Sequence, residues 1–201
     1  MSNALEVKRI AETIVIQFNR PEIRSPLSIF VLDELHEIVD KASLDATIKA
    51  IIFTGKESVF ASGADLNEIA KVTKETARDF ALRGQNLMNK INASGKKTIA
   101  AVNGFCFGGA LDLALACNKR IASRTAIFSH PGVNLGIITG WGGTQRLPRL
   151  VGEAKALEMF MTAKRVDATE ALHIGLIDKI SNDPLAESLA NYSGNFSSIS
   201  L

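Results

Sequence analysis

The sequence predicts an α/β protein with a largely parallel sheet, and three observations carry that prediction. Short β-rich apolar runs alternate with helix-period segments over most of the 201 residues. The first clear run, Thr13-Ile-Val-Ile-Gln-Phe18, is apolar on both faces, as a strand covered from two sides must be. Strand, helix and strand in alternation describe βαβ units, which require right-handed crossovers.

Asn19-Arg20-Pro21 ends the first strand, and Ser28 caps a helix in which Phe30, Val31, Leu35, Ile38 and Val39 recur at helical spacing. A second apolar run, Ile48 to Phe53, stops at Gly55. Asp65 opens a short helix, and Thr76 to Ile91 reads as a long amphipathic one. The third strand, Thr98 to Val102, runs into Asn103-Gly104, and Gly108-Gly109 precedes an apolar helix from about Ala110 to Cys117. Lys119 to Ala122 and Ala126 to Phe128 read as further short strands. The glycine-dense stretch from His130 to Gly143 gives way to helices at Glu153 to Met161 and Ala168 to Leu172, then a short apolar segment at Leu176 to Ile180. The expected division is a core over residues 1–180 and a short, loosely ordered tail over 181–201, whose end is rich in Ser and Asn.

Composition excludes several classes of function. A hydrophobic share of 46% with 22% charged residues suits one globular domain, and a net charge of +2 is too small to point to nucleic acid. No apolar run approaches the ~18 residues of a membrane span, and Met1 to Ile10 lacks the layout of a signal peptide. Cys106 and Cys117 lie in apolar surroundings without the neighbours a zinc site needs. The expectation is a cytoplasmic protein with reduced, buried thiols and no metal.

Two segments share a plan in which a strand ends, small residues follow and a helix begins. They are Val59-Phe-Ala61-Ser-Gly-Ala64-Asp65-Leu66 and Asn103-Gly-Phe-Cys-Phe-Gly108-Gly109-Ala-Leu-Asp112. Small residues admit a ligand close to the backbone, and helix N-termini present unpaired N–H groups. Two such groups converging on one carbonyl oxygen would stabilise an enolate. Taken alone, either segment is a weak signal that reads more readily as tight packing.

Together the segments resemble the crotonase (enoyl-CoA hydratase/isomerase) family. Phe60-Ala-Ser-Gly-Ala-Asp65 is similar to its first oxyanion loop. Ala100-Ala-Val-Asn-Gly104, Gly108-Gly109 and Leu113-Ala-Leu-Ala-Cys117 are similar to its second. Asn134-Leu-Gly136 and Gly140-Trp-Gly-Gly-Thr-Gln-Arg-Leu-Pro-Arg-Leu-Val-Gly152 match its most recognisable stretch. The resemblance implies a spiral of repeated ββα units, assembly as a homo-oligomer (trimer or hexamer), and an acyl-CoA thioester as substrate, with no cofactor besides the CoA that substrate carries. It implies Ala64 and Gly109 as backbone oxyanion donors. Ala61, Asp65, Leu66, Gly108, Gly132, Gly140 and Trp141 would sit around the substrate, and Arg24 at the nucleotide end of CoA, where a guanidinium suits phosphate.

Hydration calls for one group to activate water and another to protonate the α-carbon, and hydratases of this family use two glutamates. The first position holds Asp112, still a carboxylate but one methylene shorter, which also suits the first turn of a helix. The second, in Ser129-His-Pro-Gly-Val-Asn-Leu-Gly136, holds Gly132, which carries no proton. His130, two positions away, is the available acid–base substitute or else a structural hydrogen-bonder. Hydration with Asp112 as acid–base group is the leading expectation. Double-bond isomerisation, decarboxylation of a malonyl-type CoA and a catalytically weak acyl-CoA-binding protein are the alternatives. The resemblance also implies a helical C-terminal region that is truncated here, and hence weaker CoA binding and lower stability than in a longer relative.

Overall fold

The computed structural model describes residues 3–192. In chain order the elements are β1 (Leu5–Ile10), β2 (Thr13–Phe18), β3 (Pro26–Leu27), α1 (Ile29–Leu44), β4 (Ala50–Thr54), β5 (Val59–Ala61), β6 (Gly63–Ala64), α2 (Leu66–Ile69), α3 (Ala77–Asn92), β7 (Lys97–Val102), β8 (Phe105–Phe107) and α4 (Gly109–Ala116). There follow β9 (Lys119–Ala122), β10 (Ile127–Ser129), α5 (Gly143–Val151), α6 (Glu153–Thr162), β11 (Val166–Asp167), α7 (Ala168–His173), β12 (Lys179–Ile180) and α8 (Pro184–Tyr192).

Among the described residues two larger sheets run through the molecule, six strands in the order β1-β2-β4-β7-β9-β12 and four in the order β11-β10-β8-β5, and β3 pairs with β6 in a third of two strands. The chain alternates between them, since β4, β7 and β9 lie in the larger sheet and each is followed by β5, β8 or β10 in the smaller. This is the expected spiral of ββα units. In the larger sheet pairing is parallel from β2 to β12 and β1 returns antiparallel beside β2; in the smaller one β11 is antiparallel to β10. All five residues of β4 are buried, so its unbroken apolar run reflects cover on both faces. One face carries the main core, with Phe53, Phe60, Leu113 and Phe128 in it. The other collects Val15, Ile52, Ile99 and Ile121.

That second face corrects the expected loose tail. Leu185 and Leu189 of α8 pack over it, and Ser188 is fully buried with its hydroxyl bonded to Pro184 O at 2.7 Å. A surface rich in polar residues hid a two-leucine stripe that the sheet requires. Residues 193–201 of the expected tail lie outside the described residues. Other elements were not legible, β1 and α5 among them. β1 was missed because it is exposed along most of its length. α5 carries Gly142 at its N-cap and Pro148 inside it, both helix-weakening residues, and it is held by packing of Leu147 and by contacts described below.

Candidate active site

The two strand-to-helix corners meet. Asn103, at the end of β7, clamps the turn after β4: its Oδ1 accepts from Gly55 N at 2.9 Å, and its Nδ2 donates to the carbonyls of Glu57 and Val59 at 2.8 and 3.1 Å. This ties β5 to the start of the second corner. Gly63 has φ of +88°, and a Cβ added to it would lie 2.7 Å from Gly109 N. The Gly63-Ala64 step therefore rests directly on the first residue of α4. Gly108 N is taken by Ser129 O at 2.9 Å, whereas Gly109, as the first residue of a helix, has no intrahelical acceptor for its N–H. Ala64 and Gly109 both line one cavity of about 390 Å³.

The cavity has an apolar wall. Leu66 and Ile69 of α2, Phe80 of α3, and Leu135, Ile137 and Ile138 of the glycine-dense stretch line it. Trp141 closes one side; its ring is buried and tilted against Phe80 with centroids 5.9 Å apart. A Cβ at either Gly84 or Gly109 would overlap the indole, so glycine at both places makes room for Trp141.

Asp112 is completely buried one turn into α4. Its Oδ2 accepts from the Thr139 hydroxyl and from Trp141 N at 3.2 Å, and the Gly143 backbone lies against the carboxylate, close enough for its N–H to favour the charged form. The aspartate thus gathers backbone and hydroxyl donors at the entrance to α5, which explains how a helix beginning Gly142-Gly143 is fixed. Its other oxygen, Oδ1, has no hydrogen-bond partner and lies 3.6 Å from His130 Nε2. Burial pushes the Asp112 carboxyl up to about 6, against the lowering effect of Thr139, Trp141 N and Gly143 N. Burial pushes the His130 imidazole down to about 3. At neutral pH the pair is a carboxylate facing a neutral ring.

Of the residues singled out from the sequence, Ala64, Leu66, Gly108, Gly109, His130, Gly132, Gly140 and Trp141 line the cavity together. Asp112 sits behind three of the lining residues, Thr139, Trp141 and His130, in contact with each. Ala61 is buried in β5 beside Cys106, and the Asp65 carboxylate caps α2 by accepting from Asn67 N at 2.8 Å; neither lines the cavity. Arg24 is exposed at the end of a 3-10 turn, with φ of 63°. Ser25 beside it is also left-handed, with φ of 46°, and its hydroxyl accepts from Arg20 N at 3.2 Å. Two successive non-glycine residues in this region store backbone strain. Thr139 and Glu68 were missed or undervalued. Glu68 Oε2 accepts from Ile29 N at 2.8 Å and so caps α1 from a distance of 39 positions, a pairing that local sequence cannot signal. Cys106 and Cys117 are free and buried. Among the described residues, no cluster of His, Cys, Asp and Glu could hold a metal ion, and no helix is long and apolar enough to cross a membrane.

The family model described as enoyl-CoA hydratase/isomerase matches residues 9–192. The chain is 37% identical over 179 residues to the short-chain-enoyl-CoA hydratase of Clostridium acetobutylicum, covering 89% of this chain and 69% of that protein. It is 41% identical over 167 residues to the crotonyl-CoA hydratase of Syntrophomonas wolfei, covering 83% and 64%. Among solved structures, the enoyl-CoA hydratase of Bacillus anthracis superposes with a TM-score of 0.86 at 34% identity, over 94% of this chain and 74% of that one. Pseudomonas aeruginosa DspI gives 0.88 at 35%, over 94% and 78%.

Proposed function

The chain belongs to the enoyl-CoA hydratase/isomerase family, and from that premise we propose that it adds water reversibly across the double bond of an α,β-unsaturated acyl-CoA. The observation that supports the reading is the close approach of Gly63 to Gly109 N, with Ala64 and Gly109 both lining one cavity. A thioester carbonyl between them gains two donors as its oxygen becomes an enolate, and fixed donors of this kind lower barriers by several kcal/mol, on the order of 3 for a single one. The aliphatic wall takes the acyl chain. Arg24, held out from the surface on its strained turn, meets the phosphates of CoA. Asp112 supplies the buried negative pole of the site. No metal or separate cofactor enters this chemistry. Assembly as a trimer or hexamer and a cytoplasmic location belong to the same reading; the free, buried thiols are compatible with the latter.

The test is to incubate the protein separately with crotonyl-CoA, a β,γ-unsaturated acyl-CoA and methylmalonyl-CoA and to weigh the products by mass spectrometry. Crotonyl-CoA gaining the mass of one water is the expected result. Conversion of the β,γ-unsaturated substrate alone makes the protein an isomerase, and loss of carbon dioxide from methylmalonyl-CoA alone makes it a decarboxylase. Tight binding without any product leaves an acyl-CoA-binding protein and overturns the enzymatic reading.

A further inference from the structure

We infer that His130 is the group that carries the proton in both halves of the hydration, with Asp112 holding and orienting its ring; this rests on the hydratase reading above. Three observations lead there. First, among the residues that line the acyl cavity, His130 is the one with a titratable side chain; the others are apolar, glycine, serine or threonine. Second, the polar atoms of the pair are arranged asymmetrically. Oδ2 of Asp112 is fully engaged by Thr139 and Trp141 N, while Oδ1 and both ring nitrogens of His130 have no hydrogen-bond partner. Unpaired polar atoms this deeply buried are costly, and Nε2 faces Oδ1 across only 3.6 Å. A small turn of the ring, which packs against Phe160 with centroids 5.1 Å apart, closes that gap to a charge-assisted bond, and Nδ1, buried in the present position, has to swing toward the cavity in the same movement. Third, the position beside it has no room for an acid. A Cβ on Gly132 would lie 2.8 Å from Ile137 O, so the backbone has closed over the place where a second carboxylate would stand.

The position of the ring is set by the oxyanion corner itself. Ser129 O accepts from Gly108 N at 2.9 Å, which fixes the residue before His130 to the residue before Gly109. The steps then balance with one shuttle. With Asp112 facing Nε2, the neutral ring keeps its proton there and a lone pair on Nδ1, as in other carboxylate–imidazole pairs. Water oxygen bonds to the β-carbon, the π electrons move onto the thioester as an enolate held by Ala64 N and Gly109 N, and Nδ1 takes the proton the water releases. The imidazolium is stabilised by the Asp112 carboxylate. As the enolate collapses, Nδ1 returns its proton to the α-carbon; one water has been added and the ring is neutral again. At neutral pH the ring is neutral and Asp112 a carboxylate, which is the state the cycle starts from; burial disfavours the imidazolium, and the facing carboxylate has to offset that as water attacks.

The decisive comparison is crotonyl-CoA hydration by wild type, His130→Gln and Asp112→Asn, each checked for folding by its melt and for binding by acetoacetyl-CoA. His130→Gln is expected to lose about 100-fold or more in kcat with KM changed only a few-fold, the scale of a lost general acid–base group. Retention of more than about a tenth of kcat overturns the assignment while leaving the hydratase reading intact; a wild type with no hydration at all sinks that reading instead. Should His130→Gln fail to fold, ring NMR decides on a folded protein carrying His36→Gln and His173→Gln, in which His130 gives the only histidine signals. Acetoacetyl-CoA is expected to shift the Nδ1 signal, and Asp112→Asn to replace the single Nε2–H tautomer by a mixture. An Nδ1 signal unmoved at saturation overturns the role of His130, and a tautomer indifferent to Asp112→Asn overturns that of Asp112.

Discussion

The indole of Trp141 lies so close over Gly109 that a Cβ added to this glycine would overlap ring atoms Cε3 and Cζ3. The residue proposed to donate to the thioester oxygen is therefore also the floor on which the tryptophan rests. Gly109→Ala is expected to cost about 1–3 kcal/mol through overpacking and to lower hydration further by displacing the amide. Gly84→Ala presses on the same ring from α3 but carries no donor of the notch. Denaturant melts of the two variants should agree within about 1 kcal/mol, while only Gly109→Ala loses kcat beyond its loss of folded protein. Equal activities in the two would remove the Gly109 amide from the mechanism.

Asp112 and His130 pull the pH dependence of stability in opposite directions. The folded Asp112 holds its proton up to about pH 6 against an ordinary 3.8, so the native state binds more protons than the unfolded chain between these values. Its contribution to stability falls as pH rises through that window, by on the order of 3 kcal/mol. His130 is the reverse: with its folded value near 3 and an ordinary 6.5, the unfolded chain binds more protons, and stability falls as pH drops through that range. The two slopes cancel over most of the interval between about pH 4 and 6. Melts of Asp112→Asn relative to wild type should expose the histidine slope, losing stability toward acid. Those of His130→Gln should expose the aspartate slope, losing stability as pH rises from about 4 to 6. Parallel curves for all three proteins would contradict the buried pairing.

Restoring a carboxylate at Gly132 is expected to fail. The closed contact with Ile137 O forces Gly132→Glu to displace the segment that supplies Ile137 and Ile138 to the cavity wall, so hydration should drop rather than rise. A gain in kcat on crotonyl-CoA would show that the segment gives way easily and that an empty acid position, rather than a rebuilt one, limits the enzyme.

Arg24→Ala is expected to raise KM for crotonyl-CoA a few-fold with kcat unchanged, and the difference from wild type should shrink as salt is added, because an exposed guanidinium acts on phosphates through a screened field. Loss of kcat, or an effect indifferent to salt, would place Arg24 outside CoA binding.

Much of this site was legible because its parts are local. Gly63-Ala64-Asp65 and Gly108-Gly109 are written as contiguous corners, and Ser28 and Asp65 cap the helices that follow them. What escaped reading depends on distant partners. Glu68 reads as a solvated helix residue until Ile29 N is beside it. Asp112 and His130 stand 18 positions apart, and only the fold sets their facing atoms 3.6 Å from each other. α5 looks unfavourable from its glycines and proline, because the aspartate that holds the chain just before it, through Trp141 N and Thr139, lies on another helix.

The bond from Ile29 N to Glu68 has a mechanical meaning. The helix carrying Leu66 and Ile69 into the acyl cavity is only one turn long, too short to hold its place by its own ladder. It is moored instead to the front of α1, a helix of four turns sunk in the core. If a bulky acyl group shoves this wall outward it must drag on that anchorage, so weakening the tether, as in Glu68→Ala, is expected to widen the range of chain lengths accepted.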